Sequence, residues 1–369
     1  MSTAASPDPN APAVSDIAAR LREAAFVRLV GDGTGDAVAA TALIAERLDE
    51  ANIAYQTTIS PLPTATTRET SADLTVALGR PAPDADFSVT TDPVSPVALS
   101  VAREFGDPAV AEVALALAGV LAAGADPDSE LLALADDHLD RQPGVAIPVG
   151  QPADGLAHST LVHAPFSGSV ERATECAFEE PRTVASAVAL AVAGDEHATS
   201  RAANAVERLL RPHICEPFQT VGGYATVLDA LARERPGHAV ALALGADLDV
   251  LNEWRDHAQA VHKAIRSADT GRYDGLFVVR CDGTPPVGVV ARLVREFRSP
   301  EPVVLVVSND EAALTTSDAG VDAGTVIREV ATAVSGEGDG TQRRGRLRFD
   351  GADVDSTRSD VIVATRDVL

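Results

Sequence analysis

The chain has 369 residues, enough for two domains with full cores, and 46% of them are hydrophobic while only 4% are aromatic. Fifty-four acidic against thirty basic residues give a formal charge of −24. No run of about eighteen apolar residues and no charged-then-apolar leader occurs, which excludes a membrane-spanning class and implies a soluble, cytoplasmic protein.

Cys176, Cys215 and Cys281 are odd in number and lack a C-x-x-C spacing, so neither a disulfide framework nor a zinc knuckle is indicated. Lys263 is the lone lysine. Excess carboxylate with abundant Ala, Val, Asp and Thr suits a molar-salt, halophilic cytoplasm, where surface acids keep proteins soluble. At about 1 M salt the Debye length is roughly 3 Å, so distant acids hardly repel a phosphate. Nucleic-acid binding there depends on close contacts rather than a general basic field.

Residues 1–14 form a Pro/Ala/Ser tail expected to be disordered. SDIAARLREAA reads as a helix with Ser15 as N-cap. The stretch VRLVGDGTGDAVAATALIAERL (Val27 to Leu48) reads as a buried strand, a turn with Gly31, Gly33 and Gly35, and a helix. That helix sets Ala37, Ala40, Ile44 and Leu48 on one face. A strand running through glycines into a helix N-terminus is a ready anion site. No Gly-Lys-Ser/Thr follows, which removes the phosphate loop. A dinucleotide fingerprint needs a small residue where Asp36 stands and an acid where Ser60-Pro61 stand. A small-nucleotide site at the Gly31–Gly35 turn stays open. Ile53 to Ile59 alternates as a strand, PLPTATTRETS makes a loop, and Asp73 to Gly79 is a third strand. Pro96 to Phe105 and Ala109 to Ala123 are helices, the latter with Val113, Leu117, Val120 and Leu121 on one stripe.

The organising stretch resembles the first motif of the DHH phosphoesterase family in its archaeal RecJ-like branch, where a strand ends in His/Asn-x-Asp-x-Asp-Gly and enters an Ala-rich helix. Setting Ala39-Ala40-Thr41 on that helix puts Gly33 and Gly35 at the family's two metal-binding aspartates, with Asp32 and Asp36 one residue away. Gly79 stands where the family's third strand ends in a metal-binding aspartate. The region of the family's Asp-His-His reads PAPDADFSVTTDPVSP and offers only Asp84, Asp86 and Asp92. The tripeptide Asp136-Asp137-His138 lies in the helix SELLALADDHL and reads as a solvated face. ALALAGVLAAGADPD resembles the next motif, Ala-Leu-x-Gly-x-x-x-Asp, with Asp126 displaced beyond its slot. The resemblance therefore implies a dismantled metal site.

Pro143 to Pro165 is loop-rich and carries His158 and His163, whose spacing suits neither one helix face nor one strand face. Metal ligation there would need a loop, against ordinary loop histidines. Residues 171 to 211 read as helices ending at Pro212. In TVGGYATVLDALARERPGHAVALALG, Gly222-Gly223 opens a helix with Val227, Leu228 and Leu231 inward, Pro236-Gly237 ends it, and AVALALG reads as a buried strand. This piece resembles RecJ-like proteins closely. A tight helix entry and a phosphate contact both account for the glycine pair. LNEWRDHAQAVHKAIRSA is a helix with Trp254, Ala258, Val261 and Ile265 inward. DGLFVVRCD, VGVVARLVREFR and PVVLVVSND then give strand, helix, strand, as in the DHH-associated domain.

That domain's Ser-x-Arg is missing from LTTSDAG. In GEGDGTQRRGRLRFDG the glycines Gly336, Gly338 and Gly340 remain, and Thr341-Gln342 replace the family's substrate histidine. Arg343, Arg344, Arg346 and Arg348 follow. Arg344, Arg346 and Arg348 alternate onto one strand face, as a phosphate-compatible comb or as a solvated edge strand paired with aspartates.

The expected architecture is α/β, with a DHH-type parallel-sheet domain over 15–165, a helical connector over 166–235 and a smaller DHH-associated domain over 236–369. Family members are manganese-dependent single-strand exonucleases or related phosphoesterases, and relatives without metals serve the replicative helicase with GINS. The resemblance implies a catalytically degenerate protein without a metal cofactor, leaning away from an enzyme. It would bind single-stranded nucleic acid through Gly222, Gly223, Gly338, Gly340, Arg343, Arg344, Arg346 and Arg348, or act as a scaffold in DNA replication or repair with GINS or helicase subunits. One alternative is a Mn or Mg exonuclease with relocated ligands among Asp32, Asp36, Asp84, Asp86, Asp92, Asp126 and His158. The other is a small-nucleotide-binding protein.

Overall fold

The computed structural model describes residues 13–60, 71–351 and 353–369. The expected tail and the loop from Pro61 fall almost wholly outside the described residues. Helix α1 (Val14–Glu23) has Ala13 at its N-cap and no side-chain cap, so Ser15 does not cap it. Strand β1 (Phe26–Asp32) then enters α2 (Gly35–Glu50), whose first turn is capped by Thr34 Oγ1 accepting from the Ala37 N–H at 3.3 Å. Strands β2 (Ala54–Ser60), β3 (Leu74–Leu78) and β4 (Phe87–Val89) complete a four-stranded sheet of order β2-β1-β3-β4, parallel throughout. Helices α3 (Ser95–Arg103), α4 (Val110–Ala122) and α5 (Ser129–His138) follow, and α3 and α4 pack on α2. The Ala-rich composition of α2 has its reason here: helices and sheet surround it, and Ala37, Ala39, Ala40 and Ala42 are all fully buried.

Short helices α6 (Pro152–Ala157), α7 (Val170–Thr174), α8 (Pro181–Ala193) and α9 (Ser200–Glu207) build a middle layer with its own core, consistent with the helices read over 171–211. Helices α10 (Val221–Glu234), α11 (Pro236–Ala243) and α12 (Leu251–Ser267) return to the first core, where Tyr224, Leu228, Leu242 and the fully buried Trp254 join α2 and α4. AVALALG is therefore not a strand. Pro236 opens α11 in the first turn, where a missing N–H costs nothing, and Ala239, Leu242 and Ala243 bury one helical face. Because α10 joins the first core it is no part of a connector, and α11 and the first half of α12 pack there too, while Val261 and Ala264 of α12 join the middle-layer core.

The second sheet begins at β5 (Asp269–Tyr273) and β6 (Leu276–Arg280), followed by α13 (Val287–Phe297), β7 (Val303–Val307), β8 (Glu311–Thr316), α14 (Ala323–Ala333), β9 (Glu337–Gly340), β10 (Arg344–Arg348) and α15 (Val354–Val368). Its order is β5-β6-β7-β8-β10-β9, with β6 and β7 parallel and the other pairs antiparallel. The period of two is plain in β7: Val304 and Val306 join the core with α13, while Val303, Leu305 and Val307 join that of α14 and α15. Strand β10 lies between β8 and β9, so the arginine comb is not on an edge strand. Among the described residues no helix is long and apolar enough to cross a membrane.

Gly222 and Gly223 are buried packing residues and not ligand contacts. A Cβ on Gly223 would lie 2.4 Å from the Ile147 carbonyl carbon and the Pro148 nitrogen, and one on Gly222 would lie 2.5 Å from the Ala146 Cβ. Gly223→Ala should therefore cost about 1–3 kcal/mol or more, as overpacking does. A Cβ at Gly237 meets nothing within 4 Å, so Gly237→Ala should be neutral or stabilise by about 0.5–1 kcal/mol. Denaturant unfolding of the two variants side by side checks the contrast.

Candidate functional site

A cleft opens between the C-terminal ends of β1 and β3 and the inner face of β10, where open parallel sheets bind ligands. Arg80, Arg233, Arg292, Arg295, Arg343, Arg344 and Arg346 line it against Asp32, Asp92, Asp229 and Asp339. The rest of its wall is mostly small residues, among them Gly33, Thr34, Ala122 to Ala125 and Gly340, with His257, Val289 and Leu314.

The carboxylates of the first domain are held by guanidinium groups. Asp32 Oδ1 lies 3.1 Å from Arg80 Nη2, both side chains being buried. Asp36 has no exposure at all; its two oxygens accept from the Val94 and Ser95 N–H groups at 2.8 and 2.9 Å, and Arg344 Nη2 lies 3.5 Å away. Burial pushes the Asp36 carboxyl up, against the pull of Arg344 and of those backbone donors. Asp92 Oδ2 lies 3.1 Å from Arg344 Nε and accepts from Thr341 Oγ1 at 2.7 Å. Burial alone would lower the Arg344 guanidinium, but Asp92 and Asp36 hold it above its ordinary range. Deeper along β10, Arg346 pairs with Glu311 at 3.3 Å and Arg233 reaches the same carboxylate at 3.0 Å. Against burial, Arg233 and Arg346 hold Glu311 below the usual carboxylate range.

The N-terminus of α2 already carries an anion of its own. The Gly35 N–H donates to Asp229 Oδ1 at 3.1 Å, across 194 residues of sequence, and Asp229 Oδ2 pairs with Arg292 at 3.5 Å. A Cβ on Gly35 would lie 2.9 Å from the Asp229 nitrogen and the Ala122 Cβ. The seat that the Gly31–Gly35 turn offers a small nucleotide is thus filled from within, which corrects that alternative. Gly79 has φ +91°, and a Cβ there would lie 3.1 Å from the Asp32 Cβ. Glycine is what the packing at Gly35 and Gly79 requires.

These residues do not fit a manganese or magnesium pair. Of the candidate relocated ligands, Asp32, Asp36 and Asp92 come together, each facing an arginine. Asp126 pairs with Arg208 at 2.8 Å, Asp86 accepts from the Thr75 N–H at 2.7 Å, Asp84 is exposed, and His158 pairs with Asp154 at 2.9 Å. None of those four lines the cleft. Among the described residues no group of three or more His, Cys, Asp and Glu is placed to hold a metal. In the helix that carries Asp136-Asp137-His138, Asp136 pairs with His213 at 2.7 Å and His138 is exposed.

Of the expected nucleic-acid contacts, Gly340, Arg343, Arg344 and Arg346 line the cleft, while Gly338 packs under Ile327 and Ala331. Arg348 lies outside the lining, 3.9 Å from Glu311. Sequence reasoning missed Arg80, Arg233, Arg292, Arg295 and Asp229. Only Arg80 carries a local signal, as the cation next to Gly79 at the end of β3.

His163 and His262 form a buried relay and not a metal site. His262 Nε2 donates to the Ser159 carbonyl at 3.2 Å, which leaves its Nδ1 free to accept from His163 Nδ1 at 3.0 Å. His163 Nε2 then accepts from Arg298 Nη2 at 3.3 Å. The chain of donors is complete only with both rings neutral. Burial first, then the charge of Arg266, lowers His262 to about 3, and burial also lowers His163 well below its ordinary value.

Residues 268–367 match the family model described as "Uncharacterized protein rrnAC1427, C-terminal domain". The chain is 47% identical over 356 residues to the uncharacterized protein rrnAC1427 of Haloarcula marismortui, covering 91% of this chain and 92% of that protein. CDC45 from Entamoeba histolytica superposes with a TM-score of 0.58 at 8% identity, over 96% of this chain and 98% of that one, a likeness of fold. RecJ from Thermus thermophilus, in complex with manganese, gives 0.47 at 16% identity over 96% of this chain and 55% of RecJ, so the chain spans about half that protein's length.

Two outcomes follow from the site's electrostatics. Arg344→Gln strips the cation from a fully buried Asp36, which should cost about 3–5 kcal/mol in chemical denaturation, the range for one broken partner of a buried pair. The relay makes stability depend on pH. Unfolded histidine titrates near 6.5, above the folded value of about 3 for His262. The relay's stability is therefore complete above about pH 6.5 and is lost progressively as pH falls toward the folded value. Unfolding midpoints should already drop between about pH 7.5 and 5.5, before ordinary carboxylates protonate; a flat profile there would contradict neutral buried rings.

Proposed function

Because this chain belongs to the family of the Haloarcula marismortui protein rrnAC1427, on a RecJ-like DHH-type α/β fold, we propose that it grips the phosphate backbone of single-stranded nucleic acid in the arginine-lined cleft without hydrolysing it. It would serve as a binding or scaffold subunit in DNA replication or repair. The observation that carries this reading is the lining of the cleft: seven arginines on a chain of net charge −24, six of them paired with acids and Arg343 in no ion pair among the described residues. Phosphodiester oxygens match the planar fork of arginine, which stays charged when buried. The described lining contains no Phe, Tyr or Trp, so stacking platforms are missing and contact falls on the backbone, without sequence readout.

Two-metal hydrolysis needs several ligands aimed at one point to clamp attacking and leaving oxygens. Here the clustered carboxylates Asp32, Asp36 and Asp92 face Arg80 and Arg344 instead. Arg343 is exposed and makes no ion pair among the described residues, which makes it the first cation an incoming phosphate meets. Arg344 and Arg346 are already paired, so a bound phosphate competes with Asp92 and Glu311 for them. On the resemblance described above, GINS or replicative-helicase subunits are the protein partners proposed for such a scaffold.

Fluorescence anisotropy with labelled single strands in molar KCl tests the binding. Arg343→Gln should weaken it by up to about tenfold, roughly 1.4 kcal/mol, alike for unrelated sequences, whereas Arg348→Gln, outside the lining, should leave it unchanged. Equal binding by wild type and Arg343→Gln would remove the cleft from the account. With manganese or magnesium added, the strand should stay intact. Degradation by wild type that an Asp32/Asp36/Asp92 alanine variant loses would establish an exonuclease instead.

A further inference from the structure

A second cavity lies in the middle helical layer, where the His163–His262 relay ends. Arg172, Arg266 and Arg298 line it, together with Asp195, Glu196 and His197. Helix C-termini deliver the three cations: Arg172 in the last turn of α7, Arg266 in that of α12, and Arg298 as the residue capping α13. The negative end of a helix dipole stabilises a cation without an acid beside it. Among the described residues Arg172 and Arg266 make no ion pair; they donate to the Pro165 and Ser167 carbonyls. Burial, then repulsion from Arg172 and Arg298, depresses the Arg266 guanidinium, so the three groups feel one another.

Arg298 is held in place from behind. Its Nη2 donates to the neutral His163 at 3.3 Å and lies 3.5 Å from Asp195, while its Nε is buried without a hydrogen-bond partner among the described residues. Glu196 is 86% exposed and pairs with its neighbour His197. Three guanidinium groups therefore share the cavity with one inward carboxylate.

We infer that this cavity binds one tetrahedral oxyanion, a phosphate group, between Arg172, Arg266 and Arg298. Planar guanidinium forks present parallel donors that match several oxygens of such an anion at once, which a spherical halide cannot use. The relay serves to hold one fork at a fixed angle, so the site is formed before the anion arrives.

Thermal unfolding of the full chain at constant ionic strength, with phosphate replacing chloride, tests the inference, since a ligand of the native state raises Tm. A saturable rise is expected in wild type and in Arg343→Gln, which separates this cavity from the cleft. The Arg172→Gln/Arg266→Gln variant, altered at two exposed positions, should melt with wild type in chloride and lose the rise, and Arg172→Gln alone should lose part of it. A nucleoside monophosphate that saturates at lower concentration than inorganic phosphate would assign a phosphate monoester; equal midpoints would assign the free anion. No saturable rise with either compound, or a rise that the double variant keeps in full, would overturn the site.

Discussion

The guanidinium of Arg344 ties the two sheets of this protein together. It reaches from β10 to Asp36 at the start of α2 and to Asp92 ahead of α3, joining positions 308 residues apart in the case of Asp36. Asp36 has no contact with water and itself accepts the two N–H groups that open α3. An uncompensated carboxylate there would be expensive, by several kcal/mol. The arrangement of the cleft follows from that constraint. The comb on β10 must face the first domain, and Leu347 and Gly345, between its teeth, must pack toward α14. The carboxylates that cluster beside the cleft are already compensated.

The same constraint explains how so acidic a chain carries an arginine-lined cleft. Arginine supplies every cation but Lys263, and a guanidinium tolerates burial as a charged group where an ammonium tends to lose its proton. Interior carboxylates at Asp32, Asp36, Asp92, Asp229 and Glu311 balance most of this charge locally. Among the described residues of the lining, only the exposed Arg343 is left without an ion pair. In concentrated salt only such close contacts retain electrostatic weight.

Local pattern made much of the fold legible. Strand β1, the glycine turn and α2 could be read from a buried run, three glycines and apolar spacing. The β6–α13–β7 unit could be read from two Val-rich runs around an amphipathic helix. AVALALG could not, because an alternating Ala/Val/Leu run of that length suits strand and helix alike, and the burial of Ala239, Leu242 and Ala243 against other helices decided it. Gly222-Gly223 looked like a ligand contact because their partners, the Ala146 side chain for Gly222 and the backbone of Ile147 and Pro148 for Gly223, are distant in sequence. The cleft was half legible. The comb and its single face were plain in the sequence. The acids opposite it, and Asp229 on the α2 N-terminus, were fixed by tertiary packing across long stretches of chain.

Manganese uptake tests the central claim most directly, because it asks whether arginines have taken the place of metal ions. Equilibrium dialysis of the purified protein against manganese in molar KCl, read by electron paramagnetic resonance, should find the ion free, with the same spectrum for wild type and for the Asp32/Asp36/Asp92 alanine variant. Stoichiometric manganese bound by wild type and lost by that variant would mean that Arg80 and Arg344 yield to metal, and would contradict the account.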